Sequence, residues 1–200
     1  MNIRAFSISA SLACLVALTG CGTTGSMLGS TASYGPVSDG GYHLPSIPTA
    51  KVAEKFRRQT VTYVTKEKAG TVIVDTHERH LYFVLGDGKA VRYGIGVGRD
   101  GFTWAGQHKI TRMAEWPGWT PPAQMRKRVP DLPAYMPGGP DNPLGARALY
   151  IGSTLYRIHG TSEPWTIGQA VSSGCIRLTN EDVTDLYERV KVGALVVVHQ

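Results

Sequence analysis

Short runs of β-branched and aromatic residues, separated by turn residues, recur from residue 60 onward in this 200-residue chain. The first two runs, at residues 71–74 and 81–85, read Thr-Val-Ile-Val and Leu-Tyr-Phe-Val-Leu. The sequence Gly86-Asp87-Gly88 follows and predicts a hairpin turn, because Gly and Asp tolerate the positive φ of tight turns. The same composition predicts further strands at residues 108–113, 148–151, 155–159 and 194–199. The fold is therefore expected to be mainly β.

Residues 91–98 alternate between two kinds of side chain. Val, Tyr, Ile and Val occupy the odd positions, and Arg92, Gly94, Gly96 and Gly98 occupy the even ones. This period of two is typical of a strand, and its glycine face carries almost no side chains. Another chain segment is expected to approach that face closely.

One helix is predicted near the C-terminus, over about residues 181–190. Thr179 or Asn180 can cap its N-terminus, and two acidic residues follow where the helix dipole favours negative charge. Its apolar stripe consists of Val183, Leu186, Tyr187 and Val190.

The segment from Trp116 to Arg147 is rich in Pro and Gly and shows no strand or helix pattern. A structureless insertion of this length inside a compact domain usually has a function. Its aromatic side chains, Trp119 among them, offer a rigid contact surface. We interpret it as a wall or lid over a substrate groove. The alternative is that its tryptophans are core anchors.

Residues 1–20 form the predicted export signal. Arg4 supplies the positive charge, and the apolar run that follows is too short for a membrane span. Its end, Leu18-Thr19-Gly20-Cys21, resembles the lipoprotein box of bacteria, in which cleavage precedes an acylated Cys21. We expect anchoring to the outer membrane, on the periplasmic side, because Gly22 rather than Asp follows. Ordinary signal cleavage near an incidental Cys21 is the alternative.

Residues 21–58 are expected to be a lipid-anchored flexible tether and basic arm. The stretch is rich in Gly, Ser, Thr and Pro up to residue 50 and carries four Lys or Arg residues after it. Loss of Arg4 with the signal lowers the net charge from +6 to +5, which suits an anionic envelope. Export and the lack of a recognition module argue against nucleic acid as a partner. The folded domain is expected to cover residues 59–200.

His159 and Cys175 carry the most informative chemistry. A thiolate is a nucleophile and a thiol is not, so a reactive Cys needs a base or cation nearby. Ser173 and Gly174 leave the backbone before Cys175 uncrowded, so amides there could bind an oxyanion. Of the three cysteines, Cys14 leaves with the signal and Cys21 would carry lipid. Cys175 then stays unpaired in an oxidising compartment, which favours a functional thiol over a small core residue.

These residues resemble the signature of the L,D-transpeptidase catalytic domain (YkuD-like) family. The resemblance rests on His159-Gly160-Thr161 and on Ser172-Ser173-Gly174-Cys175-Ile176-Arg177, and it extends over about residues 60–200. It implies a β-sandwich of mixed sheets with a short packed helix and the long loop over the active site. Many members have His where this chain has Ser173, so the role of base carries over to His159 alone.

The resemblance also implies the reaction. Cys175 attacks the carbonyl at the L-centre of the third residue of a peptidoglycan stem peptide, D-Ala leaves, and an amine accepts the acyl group, which gives a cross-link. A hydrolytic sibling, which cleaves stems or releases wall-linked protein, and a non-catalytic wall-binding module are the alternatives. Expected oxyanion and motif residues are Ser172, Ser173 and Gly174. Expected substrate contacts are Trp119, Tyr150, Gly160, Thr161 and Arg177.

No cofactor or metal is expected. The six histidines do not form a cluster with zinc-ligand spacing, and no phosphate-binding glycine loop precedes a helix.

Overall fold

The computed structural model describes residues 34–48, 51–100, 102 and 104–200. The predicted signal and Cys21 lie outside these residues. The strands are β1 (Val37–Asp39), β2 (Tyr42–Leu44), β3 (Gln59–Thr62), β4 (Val72–Asp75), β5 (His80–Gly86), β6 (Lys89–Gly94), β7 (Val97–Gly98), β8 (Gly106–Glu115), β9 (Arg147–Ile151), β10 (Arg157–His159), β11 (Ala170–Ser172), β12 (Ile176–Arg177) and β13 (Leu195–His199). The α-helices are α1 (Ala123–Arg128) and α2 (Asn180–Arg189), and Glu54–Phe56 and Pro164–Thr166 form short 3₁₀ turns. No helix in the described ranges is long and apolar enough to cross a membrane.

Nine of these strands form one mixed sheet, in the order β12-β10-β9-β8-β13-β4-β5-β6-β3. The β13–β4 and β10–β12 pairs are parallel, and the other neighbours are antiparallel. The two remaining sheets are the pairs β1–β2 and β7–β11. The predicted turn joins β5 to β6, and Gly86, Asp87 and Gly88 all have positive φ. The expected mainly-β fold with mixed sheets is confirmed.

The large sheet curves, so that β12 at one end meets the chain that leaves β6, next to the other end. The chain leaving β6, near one end, pairs through Gly96 with Arg177 of β12 at the other end. Two backbone hydrogen bonds of 2.9 Å join these residues. The enclosed space holds one apolar cluster, to which most strands of the sheet contribute buried Val, Ile, Leu and aromatic residues. This bridge brings the segment between β6 and β7 beside β12 and closes the sheet around the core.

The glycine face predicted for residues 91–98 is confirmed as a site of close approach. A Cβ on Gly94 would collide with Phe56, and one on Gly98 would lie 2.6 Å from the carbonyl oxygen of Phe102. The structure differs in one respect, because the predicted single strand divides into β6 and β7. The reason is that Gly96 leaves the β5–β6 pairing to reach β12.

Helix α2 begins at Asn180, one residue before the predicted start. The Thr179 hydroxyl caps it by accepting a hydrogen bond of 3.1 Å from the amide of Asp182. Val183, Leu186 and Val190 pack into the core cluster, as the stripe predicted, and Tyr187 is partly buried against it. The helix therefore covers one side of the sheet at β9 and β10.

The Pro- and Gly-rich insertion is not structureless, since it contains α1 and an isolated bridge between Trp119 and Met136. Asn142 fixes its return, because its side-chain amide donates to the Pro137 carbonyl at 2.8 Å and its oxygen accepts from the Leu144 amide at 2.9 Å. Side-chain hydrogen bonds of this kind satisfy backbone groups without a regular element. Such hydrogen bonds produce no periodic pattern in the sequence, so the pattern did not predict this structure.

Part of the segment predicted as a flexible tether, within residues 34–48, packs on the domain. Asp39 of β1 forms a bidentate ion pair with Arg147, at 2.6 and 2.8 Å, and accepts a hydrogen bond of 2.8 Å from the Trp116 indole. Tyr42 packs against the Trp116 ring, with centroids 4.5 Å apart. A few polar and aromatic contacts thus hold this part of the segment without hydrophobic periodicity.

Asp39→Asn is expected to lower the free energy of unfolding by about 2–4 kcal/mol, because it leaves the buried Arg147 guanidinium short of its main counter-charge. Glu115, 3.8 Å from Arg147, remains as a weaker partner. Urea unfolding at neutral pH measures the effect. Asp87→Asn, the same change in an exposed hairpin turn, is the control, and equal losses in the two variants would contradict the assignment.

Candidate active site

His159 and Cys175 come together because β10 and β12 pair in parallel. Their register places Ile158 beside Ile176 and His159 beside Arg177. Both isoleucines are buried in the core cluster. Side chains alternate along a strand, so His159 and Arg177 face away from the core, and Cys175, one residue before β12, shares their face.

That face forms the floor of a groove with a volume of about 390 Å³. His159, Cys175, Ser172 and Ser173 all line it. The insertion supplies one wall, through Trp119, Pro122, Gln124, Met125, Arg128, Pro143 and Leu144. The remaining lining residues are Phe102, Leu155, Tyr156, Arg157 and Arg177.

The His159 imidazole is buried, with 5% of the residue exposed. Its Nδ1 lies 2.5 Å from the carbonyl oxygen of Gly160. A carbonyl only accepts, so Nδ1 carries the proton and Nε2 of the neutral ring is left as a proton acceptor. Burial, and next the positive charge of Arg177, lower the pKa of His159 from 6.5 to about 3. At neutral pH the ring is therefore uncharged.

The Cys175 thiol is partly buried and donates a long hydrogen bond of 3.8 Å to the carbonyl oxygen of Leu155. Burial raises the pKa of this thiol above its ordinary value of 9.0. The N–H groups and positive charge of Arg157 act in the opposite direction, and Arg177 contributes a smaller lowering. The resting pair is accordingly a neutral thiol and a neutral imidazole.

The turn before Cys175 is fixed by side-chain hydrogen bonds. The Ser172 hydroxyl donates to the Cys175 carbonyl at 2.6 Å and accepts from the Gly174 amide at 3.2 Å. Gly174 has a φ of 104°, and a Cβ there would collide with the ring of Tyr156. The Trp104 indole donates to the Gly174 carbonyl at 3.0 Å. Ser172 and Gly174 thus shape the turn, and the Gly174 amide is already engaged.

Asn180, at the start of α2, holds the backbone behind His159. Its side-chain oxygen accepts a hydrogen bond of 2.9 Å from the Ala146 amide. A Cβ on Gly145 or Gly160 would collide with that same oxygen. The close approach of these glycines explains why no larger residue fits there. Sequence reasoning considered Asn180 only as a helix cap and missed this role.

Three expected substrate contacts lie outside the groove lining. Gly160 packs against Asn180, and the buried Thr161 hydroxyl accepts from the Glu163 amide at 3.0 Å. Tyr150 instead faces two guanidinium groups, of Arg112 at 3.6 Å and Arg157 at 5.3 Å from its ring centre. Gly160, Thr161 and Tyr150 therefore contact other residues of this chain and support the groove from behind its lining.

Sequence reasoning also missed several residues that line the groove, above all Arg157 and Tyr156. Arg157 precedes His159 by two residues, and the period of a strand puts both on one face. That signal was present in the predicted strand. The Tyr156 ring stacks on Trp104, with centroids 4.7 Å apart. Phe102 comes from a distant loop, so no local pattern could indicate it.

The groove is cationic. Arg128, Arg157 and Arg177 line it, and no Asp or Glu does among the described residues. Glu163, outside the lining, forms an ion pair with Arg177 at 3.1 Å. The part of the chain that the structure describes has no group of three His, Cys, Asp or Glu side chains able to hold a metal ion.

Comparison with known proteins identifies the family. The model of the L,D-transpeptidase catalytic domain (YkuD) family matches residues 69–198. The Probable L,D-transpeptidase YbiS of Escherichia coli (strain K12) is 43% identical over 135 residues, which are 64% of this chain and 43% of YbiS. The chain thus spans less than half the length of this curated relative.

The similar solved structures include two examples. One, titled a probable carnitine operon oxidoreductase caia from Brucella melitensis, is 46% identical with a TM-score of 0.50, covering 74% of this chain and 96% of that one. The other, an L,D-transpeptidase from Mycobacterium smegmatis, is 18% identical with a TM-score of 0.50, covering 65% and 58%. The second supports the fold alone.

The depressed pKa of His159 predicts a specific loss of stability in acid. The unfolded chain takes up a proton near pH 6.5, whereas the folded chain does so only near pH 3. Stability from this group is therefore complete above pH 6.5 and falls as the pH drops toward 3, by up to about 1.4 kcal/mol per pH unit. Urea unfolding of the wild type and of His159→Gln between about pH 7.5 and 4.5 tests this. A difference between the two that does not change with pH would contradict it.

Proposed function

The chain belongs to the L,D-transpeptidase catalytic domain (YkuD) family, and we propose that it is a cysteine-dependent acyltransferase acting on peptidoglycan stem peptides. The observation that carries the proposal is the placement of Cys175 and His159 in one groove, on the same face of paired strands. A nucleophile and a base that share a groove are the minimum equipment for covalent acyl transfer. The substrate class follows from the family.

The first step transfers the thiol proton. Nε2 of His159 is the acceptor, because Nδ1 already donates to the Gly160 carbonyl. The thiolate of Cys175 then attacks the carbonyl at the L-centre of the third stem residue, typically diaminopimelate. A C–S bond forms, and the carbonyl electron pair moves onto the oxygen.

The oxyanion needs hydrogen-bond donors that are already in position. The Gly174 amide donates to Ser172, so it is not the best candidate. We assign the role to the amide of Cys175 itself, at the end of the turn that Ser172 and Gly174 shape. Rigid backbone in this turn keeps that amide in place without reorganisation during the reaction.

Collapse of the tetrahedral intermediate breaks the C–N bond to the terminal D-Ala. The leaving amine takes the proton from His159, and the acyl group stays on Cys175 as a thioester. An amine of a second stem then attacks the thioester and restores the thiol, which gives the cross-link. Water in place of that amine would make the enzyme hydrolytic, and the products distinguish the two.

The charge of the groove suits an anionic donor. Stem peptides carry free carboxylates near the scissile bond, and guanidinium groups bind carboxylates with two parallel hydrogen bonds. Arg128 lines the groove from α1, and Arg177 lines its floor. Trp119 and Met125 add an apolar wall for the aliphatic part of the stem.

An exported, lipid-anchored location accompanies this function. The substrate lies outside the cytoplasm, and the leader with its lipoprotein box at residues 18–21 would deliver the chain there. We propose that Cys21 carries lipid and holds the protein on the periplasmic side of the outer membrane. The positive net charge favours contact with an anionic envelope.

The acyl-enzyme is the first expected result. Incubation of the chain from residue 22 onward with purified muropeptides should release D-Ala and yield cross-linked products by mass spectrometry. A carbapenem, which members of this family typically accept as an acylating inhibitor, should add one drug mass on Cys175. Cys175→Ala should abolish both signals. An adduct that persists in Cys175→Ala would contradict the mechanism, since this chain has no other cysteine after residue 22.

Two variants serve as controls for the roles of the neighbouring groups. His159→Ala should slow acylation by about 10²–10⁴-fold, which is the usual contribution of a positioned base. Ser173→Ala should slow acylation by no more than about tenfold, or about 1.4 kcal/mol. This chain has Ser173 where many relatives have a second imidazole, so His159 is the one expected base. Losses of equal size would place the Ser173 hydroxyl in the catalytic set.

The lipid anchor is tested separately, in cells. The wild-type chain should incorporate labelled fatty acid and fractionate with the outer membrane, and Cys21→Ala should lose the label. Unlabelled wild-type protein, free in the periplasm, would show that the anchor does not exist.

A further inference from the structure

Arg157 lies beside the reactive thiol. It begins β10, two residues before His159, and the β10–β12 register continues from the Ile158–Ile176 pair to place it opposite Cys175. Because those isoleucines face the core, Arg157 and Cys175 share the groove face. Both line the groove.

The guanidinium and the thiol meet at one acceptor. The carbonyl oxygen of Leu155 accepts a hydrogen bond of 3.3 Å from Nη1 of Arg157 and one of 3.8 Å from Sγ of Cys175. Two groups that contact the same oxygen are neighbours. Removal of the thiol proton would therefore leave a negative sulfur beside a positive guanidinium.

Arg157 has no carboxylate partner within the described ranges, whereas Arg177 on the same face is paired with Glu163. Its Nε is buried without any hydrogen bond. The ring of Tyr150 lies 5.3 Å from its guanidinium carbon, a contact that orients the group without cancelling its charge. A cation that lacks its anion, next to a thiol that must become one, is an incomplete pair.

We propose that Arg157 is the cation that stabilises the Cys175 thiolate, while His159 acts only as the proton acceptor. This inference rests on the proposed function, because it takes Cys175 as the nucleophile. In the step, the S–H bond breaks, its electron pair stays on Sγ, and the proton passes to Nε2 of His159. Arg157 keeps all its protons throughout.

The charges around the thiol support this division of labour. Arg157 and His159 face it from β10, Arg177 faces it from β12 with Glu163 behind, and Arg128 lines the groove from α1. Burial raises the pKa of Cys175, and the N–H groups and charge of Arg157 are the main influences that lower it. Burial and Arg177 lower the pKa of His159, and Arg157 adds to that effect. The same cations thus favour a thiolate and disfavour a lasting imidazolium.

The test is the rate at which iodoacetamide alkylates Cys175 in the full-length chain, followed by peptide mapping between about pH 6 and 10. Arg157→Met and Arg157→Gln should slow alkylation at pH 7 by about tenfold or more, the usual weight of one charge-assisted hydrogen bond. Their rate profiles should move to higher pH. Arg157→Lys, which keeps the charge, should stay within about threefold of the wild type.

Arg112→Met is the matched control. Arg112 is exposed and faces the same Tyr150 ring, so this variant loses the same charge without touching the groove lining. Its alkylation profile should coincide with that of the wild type. Thermal unfolding of each variant checks the fold, and if Arg157→Met does not fold, the comparison of Gln with Lys decides.

Two results would overturn the inference. The first is a wild-type profile for Arg157→Gln. The second is alkylation of Arg157→Lys as slow as that of Arg157→Gln, which would indicate packing rather than charge. Alkylation needs no peptidoglycan, so these outcomes are independent of the muropeptide assay. If the muropeptide assay fails while alkylation follows the expected pattern, the proposed function is wrong and the role of Arg157 at the thiol stands.

Discussion

The parallel pairing of β10 with β12 is the constraint on which the site depends, since backbone hydrogen bonds fix the spacing of residues that lie far apart in sequence. Ile158 and Ile176 anchor the pair in the core, so the residues on either side of each isoleucine face the groove. β12 has only two residues and forms one end of the sheet. The bridge from Gly96 supports it from the other side. A short edge strand is rigid here because the sheet closes on it.

Burial then sets the chemistry of the groove. Desolvation favours the uncharged forms of both the thiol and the imidazole, so charge separation belongs to the reaction rather than to the resting site. Arginines that remain charged at all accessible pH values surround the place where negative charge would develop. An environment of this kind stabilises an anion with little reorganisation, because its charges are already fixed.

The wall of the groove depends on contacts from outside the catalytic strands. Asp39 joins the N-terminal hairpin, formed by β1 and β2, to Arg147 and Trp116. These two residues are the ends of the insertion that carries the wall. Tyr42 extends the contact by donating to the Gly138 carbonyl at 3.0 Å. The segment before the domain is in this way part of its architecture. A change in the hairpin is therefore able to reach the groove through the insertion.

Local patterns in the sequence predicted the strands of the core, the β5–β6 turn and helix α2, and residue type singled out Cys175 and His159 as a candidate nucleophile and base. These follow from side-chain period, turn chemistry and residue type, which act over a few neighbouring positions. Only the tertiary structure decided the closure of the sheet, the docking of the N-terminal hairpin and the position of Arg157 beside the thiol. Those features rest on single ion pairs, hydrogen bonds and close backbone contacts between distant segments. Such contacts leave no periodic signal along the chain, because each needs only one suitable residue at each end.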